Sequence, residues 1–252
     1  YSPGHPDVGF INVAEQQARA ATGAGWFDKN EKRPAPALQI VRCSTAEEIY
    51  TQLERREPVS IILTSASYQL TKPLLITKTV NFSTAVAQDI RFRCGALPAV
   101  FVTGGNGNLV LSQLHINGDA TGAGYFIASD DEHGSDHYNI SLLNCHLTGF
   151  SRELGCAAIF YAHKYRVADS IVIRQNDWSN NKTDGIIMTE EKDNKGYYNA
   201  EHIIIASNTF HHLDGVLLDL YRGGNDESTL GPDLLFSGNK VQDCSTPGST
   251  AL

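Results

Sequence analysis

The sequence predicts an all-β chain, a right-handed, single-stranded parallel β-helix with a capping helix at its N-terminal end. Three observations predict it. An eight-residue segment recurs with a period near 31, one corner of that segment reads Asn three times in succession, and polar stretches leave the repeat at nearly the same phase.

The segments are Leu109–Ile116, Ile140–Leu147, Ile171–Trp178, Ile203–Phe210 and Leu234–Val241, and their starts are separated by 31, 31, 32 and 31 residues. Positions one, three and eight are apolar in each. That pattern fits a short strand that turns a corner and continues, with inward and outward side chains alternating. Position six reads Leu114, Cys145, Asn176, Asn208 and Asn239. Stacked Asn side chains can bond to one another and to turn backbone, which satisfies polar groups that a solenoid buries at its corners.

A second strand follows a glycine in Gly155–Ile159, Gly185–Met188 and Gly215–Leu218, thirty residues apart each time. Counted from those glycines, Tyr161, Glu191 and Tyr221 share a phase, as do Ala162, Lys192 and Arg222. The polar stretches Asp130–His137, Glu190–Asn199 and Arg222–Gly231 are read as excursion loops on one edge, where repeat proteins collect binding residues.

Weaker strands precede these at Ser60–Leu63, Leu74–Ile76, Val80–Phe82, Ile90–Phe92 and Val100–Val102. Ahead of them Ser44-Thr-Ala-Glu47 and Thr45-Ala-Glu-Glu48 are overlapping capping-box patterns, opening a helix through Ile49, Tyr50 and Leu53 that plugs the column of coils. Residues 1–38 hold Ala14–Ala21, of helical character, and a Pro/Lys-rich link from Lys29 to Pro36. They are read as an inter-domain connector, and 39–252 as the β-helix domain.

With 252 residues and 41% hydrophobic content, one substantial core is within reach. The net charge is −8 and no Lys/Arg cluster occurs, so the electrostatic footprint of a nucleic-acid binder is missing. No apolar run approaches the roughly 20 residues that span a bilayer. The first residues, Tyr1 to Pro6, lack the regions of a signal peptide and read as the interior of a longer chain. Cys43, Cys94, Cys145, Cys156 and Cys244 are odd in number and show no metal spacing; buried free thiols are expected, Cys43 with Cys94 being the one pair to test for a bridge.

The run Leu218-Asp-Leu-Tyr-Arg-Gly-Gly-Asn-Asp-Glu-Ser-Thr-Leu-Gly-Pro232, preceded by Lys195-Gly-Tyr-Tyr-Asn-Ala-Glu201 and Gly185-Ile-Ile187, resembles the C-terminal β-helix domain of polysaccharide lyase family 6, the alginate lyase and chondroitinase B group. The resemblance runs from about Gly25 to Cys244. It implies a pectate-lyase-like solenoid that partners an N-terminal catalytic β-helix of the same protein, with alginate, an acidic polysaccharide, as substrate and a secreted or periplasmic location. In that family the catalytic half carries a Lys base in a Lys-Ser-x-x-Asn stretch, an Arg acid in Leu-Arg-His-Gly, and a calcium ion on the uronate carboxylate. Neither stretch occurs here. The implied role is therefore the accessory half, with no cofactor of its own, and homodimer formation stays open.

β-Elimination needs a base on C5, an acid for the leaving oxygen and a group that stabilises the carbanion beside the carboxylate. The loop edge offers Lys164, Tyr165 and Arg166 in one coil, Glu190, Glu191, Lys192 and Tyr198 in the next, and Tyr221, Arg222, Asp226 and Glu227 in the third. Lys164, Arg166, Tyr221 and Arg222 are the weak catalytic candidates, and Tyr198, Tyr221 and Arg222 the substrate-binding ones. Each has a structural alternative: Arg222 with Asp226 and Glu227 pins a Gly-rich loop, the tyrosines pack loops, and Lys164 and Arg166 sit in a solvated turn. His115, His211 and His212 fall at strand turns, where partnered structural histidines are the base expectation. Asp130, Asp131, Glu132 and Asp136 form an acidic loop without the spacing of a dedicated calcium loop. Three functions compete: an accessory domain of an alginate lyase, a stand-alone carbohydrate-binding β-helix, and a lyase in its own right.

Overall fold

The computed structural model describes residues 38–130, 137–163, 167–188, 200–220 and 233–244. These form a right-handed parallel β-helix of three sheets. The first runs β1 (Gln39–Cys43), β2 (Val59–Leu63), β5 (Thr79–Thr84), β8 (Asn108–Ser112), β11 (His137–Leu143), β14 (Val167–Arg174), β17 (Ala200–Ala206) and β20 (Asp233–Ser237). The second stacks β4 (Leu74–Ile76), β7 (Ala99–Thr103), β10 (Tyr125–Ser129), β13 (Ala158–Tyr161), β16 (Asp184–Met188) and β19 (Leu218–Leu220). The third stacks β3 (Ser67–Gln69), β6 (Asp89–Arg93), β9 (His115–Asn117), β12 (His146–Thr148), β15 (Asp177–Asn181), β18 (Thr209–Leu213) and β21 (Lys240–Cys244). Each coil passes through the first, third and second sheets in turn, and every pairing is parallel.

The eight-residue repeat is a first-sheet strand plus the start of a third-sheet strand. Ile140 pairs with Leu109 and with Ile171, which pairs with Ile203, which pairs with Leu234. Leu109, Leu111, Ile140, Leu142, Ile171 and Ile173 are all buried, as the alternation requires. Position five takes a left-handed backbone at Gln113, Asn144, Gln175, Ser207 and Gly238. That one conformation turns the chain from the first sheet into the third; Asn and Gly meet it at little steric cost.

Position six carries the expected ladder. Asn208 Nδ2 donates to Ile173 O and to Asn239 Oδ1, both at 2.9 Å, and Asn208 Oδ1 accepts from Asn176 N at 2.9 Å and Asn176 Nδ2 at 3.0 Å. Asn176 Oδ1 extends it to Cys145 N at 2.8 Å. A second corner was not anticipated. Buried Asn181 accepts from Phe150 N at 3.1 Å and donates to Leu147 O at 3.0 Å, beside another left-handed row at Gly149, Asn180, His212 and Asp243.

Aromatic side chains fill the column. Phe101 meets Phe82, Phe92 and Phe126 edge-on at 5.3, 5.3 and 5.4 Å, and Trp178 meets Phe210 at 5.4 Å. The helix α1 (Ala46–Glu54) closes the N-terminal end with Ile49 and Tyr50 buried. Its capping box is formed, Glu48 N donating to Thr45 Oγ1 while the Glu48 carboxylate accepts from Thr45 N at 3.1 Å. Lys78 Nζ donates to Gln52 O at 2.7 Å and to Arg55 O, so a residue from the next coil satisfies the carbonyls of the helix end.

Two expectations are corrected. Cys43 and Cys94 do not form a bridge; all five cysteines are free, and burial pushes the thiols of Cys43 and Cys145 up to about 11 and that of Cys156 to about 12. The glycine phase also fails. Ala158 pairs with Asp184, and Ile186 with Leu218, so Tyr161 stacks on Ile187 and Ile187 on Asp219. Gly155 ends a 3-10 turn with φ +109°, whereas Gly185 lies inside β16, where an added Cβ would sit 2.3 Å from Leu217 O. The glycines answer different local demands and are not equivalent positions. Of residues 1–38, read as a connector, all but Leu38 lie outside the described residues.

Candidate functional site at the corner between the second and first sheets

The polar stretches do leave at one corner. Each joins a second-sheet strand to a first-sheet strand: β10 to β11, β13 to β14, β16 to β17 and β19 to β20. Lys164, Arg166, Tyr198, Tyr221 and Arg222 fall in these connections and lie outside the described residues, as do Tyr165, Glu190, Glu191, Lys192, Asp226 and Glu227.

The described part of the corner is an aromatic and polar cluster that the sequence of any single loop does not reveal. The rings of Tyr125 on β10 and Tyr161 on β13 stack with centroids 4.3 Å apart and planes 12° apart. The rings meet although the strands pair them out of step, Tyr125 with Ala158 and Tyr161 with Ala128. His163 meets Tyr161 edge-on at 4.9 Å, and its N–H donates to Ser129 Oγ at 2.7 Å. Beneath them Tyr138 is fully buried; burial raises its phenol above the ordinary value, with Ser129 acting in the opposite direction.

Around the same corner the first sheet presents a chain of polar contacts on its outer face. His137 Nδ1 lies 2.7 Å from Asp169 Oδ1, Asn139 Nδ2 donates to Asp169 Oδ2 at 3.5 Å, and Ser170 Oγ donates to Asn139 Oδ1 at 2.6 Å. One coil further, His202 Nδ1 is 3.3 Å from Asp233 Oδ2. The parallel register makes this row, since Asn139, Ser170, His202 and Asp233 are paired neighbours. Period-31 alignment could have found it, because these residues stand immediately before the aligned apolar segments.

Chemically, a flat tyrosine pair beside hydrogen-bonding groups suits the C–H face and hydroxyls of a sugar ring. Elimination asks for more. Among the described residues the corner offers histidine, tyrosine and carboxylate but no lysine or arginine, and no group of three or more His, Cys, Asp or Glu side chains is placed to hold a metal ion. Of the acidic loop only Asp130 is described, and it is buried.

The other histidines lie elsewhere. His115 and His146 pack ring to ring at 5.6 Å on the outer face of the third sheet, and His146 Nε2 is 2.8 Å from Ser179 Oγ. His211 Nε2 is 3.2 Å from Asp177 Oδ1, and His212 Nε2 3.6 Å from Asp243 Oδ2. They are partnered surface side chains, as their turn positions suggest.

No protein-family model and no curated protein matches this sequence. Solved structures do. The PL6 family alginate lyase AlyGC superposes with a TM-score of 0.72 at 20% identity over 86% of this chain and 31% of that one. The fold is that of a PL6 alginate lyase β-helix. An arginine-to-alanine variant of AlyGC gives a TM-score of 0.70 at 20% identity, over 84% of this chain and 30% of that one. This chain thus spans about a third of the length of the PL6 structures it matches. Among the described residues no helix is long and apolar enough to cross a membrane.

Proposed function

We propose that this chain is the accessory β-helix domain of a secreted or periplasmic polysaccharide lyase that cleaves alginate by β-elimination. It stands beside a catalytic β-helix of the same polypeptide and contributes its loop-bearing corner to one side of the substrate cleft. The observation that carries this reading is the superposition of most of this chain on about a third of an alginate lyase. The sequence supports it by lacking the Lys-Ser-x-x-Asn and Leu-Arg-His-Gly stretches on which the resembled family's catalysis rests. Calcium belongs, on this reading, to the catalytic domain.

Formation of unsaturated uronate from alginate, followed by ultraviolet absorbance, tests the assignment. The full-length polypeptide is expected to generate product and this chain alone none. Product from this chain alone, abolished by Arg222→Ala, would instead make it a lyase using the Lys164, Arg166, Tyr221 and Arg222 edge.

A second reading, a carbohydrate-binding β-helix without chemistry, is favoured by the stacked pair Tyr125 and Tyr161. Retardation of this chain in an alginate-containing gel, lost on Tyr161→Ala and unaccompanied by product from the full-length polypeptide, would select it.

A further inference from the structure

Two histidines adjacent in sequence bring their rings together on the outside of the third sheet. His211 Nδ1 and His212 Nδ1 are 3.0 Å apart. Neighbouring residues of a strand point to opposite faces, so this meeting needs a cause. The left-handed backbone of His212, φ +53°, supplies it, turning that side chain outward beside His211 while Leu213 is buried in the column.

A carboxylate stands behind each ring. His211 Nε2 is 3.2 Å from Asp177 Oδ1 on the strand one coil earlier, and His212 Nε2 is 3.6 Å from Asp243 Oδ2 on the strand one coil later. Asp177 Oδ1 is shielded from solvent and accepts no hydrogen bond from any other described group. The two carboxylates favour a ring proton on each Nε2, which leaves both Nδ1 atoms as acceptors. Two lone pairs then face each other across 3.0 Å, and a cation belongs between them. It is either a proton or a metal ion.

Three observations favour the metal ion. A carboxylate on the outer nitrogen is the usual partner of a metal-bound histidine, and here both rings have one. Two nitrogens about 2.1 Å from one ion stand about 3.0 Å apart at a right angle and about 3.4 Å apart at the tetrahedral angle, so the pair suits a tetragonal ion better than zinc. The His212 side chain is also exposed, so water can fill the remaining coordination positions.

We infer that His211 and His212 chelate one tetragonal divalent ion, copper(II) or nickel(II), through their Nδ1 atoms. Water completes the coordination, and Asp177 and Asp243 are positioning residues that fix the tautomers.

Copper(II) added to the full chain tests this, with electron paramagnetic resonance and spin-echo modulation counting the bound imidazoles and a competition titration giving the affinity. One equivalent is expected to show two imidazoles. His211→Gln and His212→Asn, the latter tolerant of a left-handed backbone, should each leave one imidazole and weaken binding at least about tenfold. Asp177→Asn should keep both imidazoles yet weaken binding about 10–100-fold, because an amide N–H facing Nε2 moves the ring proton to Nδ1. His115→Gln should change neither readout, and the melting temperature of each variant shows that it is folded. A one-imidazole spectrum in the parent, or two imidazoles and unchanged affinity in both His211→Gln and His212→Asn, overturns the inference and leaves a proton between the rings. Loss of binding on His115→Gln overturns it by assigning the ion to the His115 and His146 pair. None of these readouts depends on alginate cleavage, so the test stands apart from the proposed function.

Discussion

Asn208→Leu removes the middle member of the amide ladder at nearly constant volume, and the structure fixes what is lost. Asn176 N–H loses its acceptor, Ile173 O loses its side-chain donor, and the amide groups of Asn176 and Asn239 each lose one of their contacts. Asn208 and Asn176 are 2% and 3% exposed, so water cannot replace these partners. Leaving a buried polar group unsatisfied costs about 1–3 kcal/mol. Two such groups, offset in part by the burial of a Leu, give a loss of roughly 2–4 kcal/mol. For a chain of this size that lowers the melting temperature by roughly 4–16 °C. Thermal unfolding followed by circular dichroism measures it. Asn239→Leu, which frees the N–H of Asn208 and the carbonyl of Ile205, should cost a comparable amount, because both of those residues are buried. Equal melting temperatures for Asn208→Leu and the parent chain would refute the ladder as a source of stability.

The remaining expectations concern other parts of the coil. Arg152 Nη2 lies 2.5 Å from Asp184 Oδ1, which also accepts from Val216 N at 2.8 Å, tying three coils together; Asp184→Ala should cost about 1 kcal/mol in denaturant unfolding, since the guanidinium is part exposed. Hydrogen bonds from Ser44 and Thr45 hold the Glu48 carboxyl below its ordinary value, so its charge stabilises the fold above the ordinary glutamate range and ceases to do so as pH falls through the lowered value. The melting temperature of the parent should therefore exceed that of Glu48→Gln at neutral pH, and the gap should close in acid. Cys43, Cys145 and Cys156, with thiols raised to about 11, 11 and 12, should resist a thiol reagent at pH 8 in the native state and react at once in denaturant.

The first sheet was legible because its demands are strict and repetitive: Leu109, Ile140, Ile171 and Ile203 point into one column, and only an apolar side chain fits there. The Asn ladder was legible for the same reason. The second sheet was not, because Gly155 answers a left-handed turn and Gly185 a close approach to Leu217, and a shared letter concealed two different constraints. The second amide corner at Asn181 escaped notice because its neighbours one coil below and above, Phe150 and Leu213, carry no amide with which to make a pattern. The Tyr125 and Tyr161 stack escaped for a related reason: the two residues pair out of step, Tyr161 with Ala128, so alignment by position never sets them side by side.

The slippage of the second sheet bears on how such a chain can change. Between the third and second sheets the chain spends residues 118–124 and 149–157, then only 182–183 and 214–217, while the opposite corner runs 130–136 and 162–166, then 189–199 and 221–232. Slack withdrawn from one bend reappears at the other, yet Ile171 still meets Ile203 and Ile203 still meets Leu234. Within a coil the two bends thus trade length against each other while the register of the first sheet is kept, and loop length itself carries only a slowly growing entropic cost. New recognition surface can be grafted at either bend of a coil without disturbing the spine that neighbouring coils share.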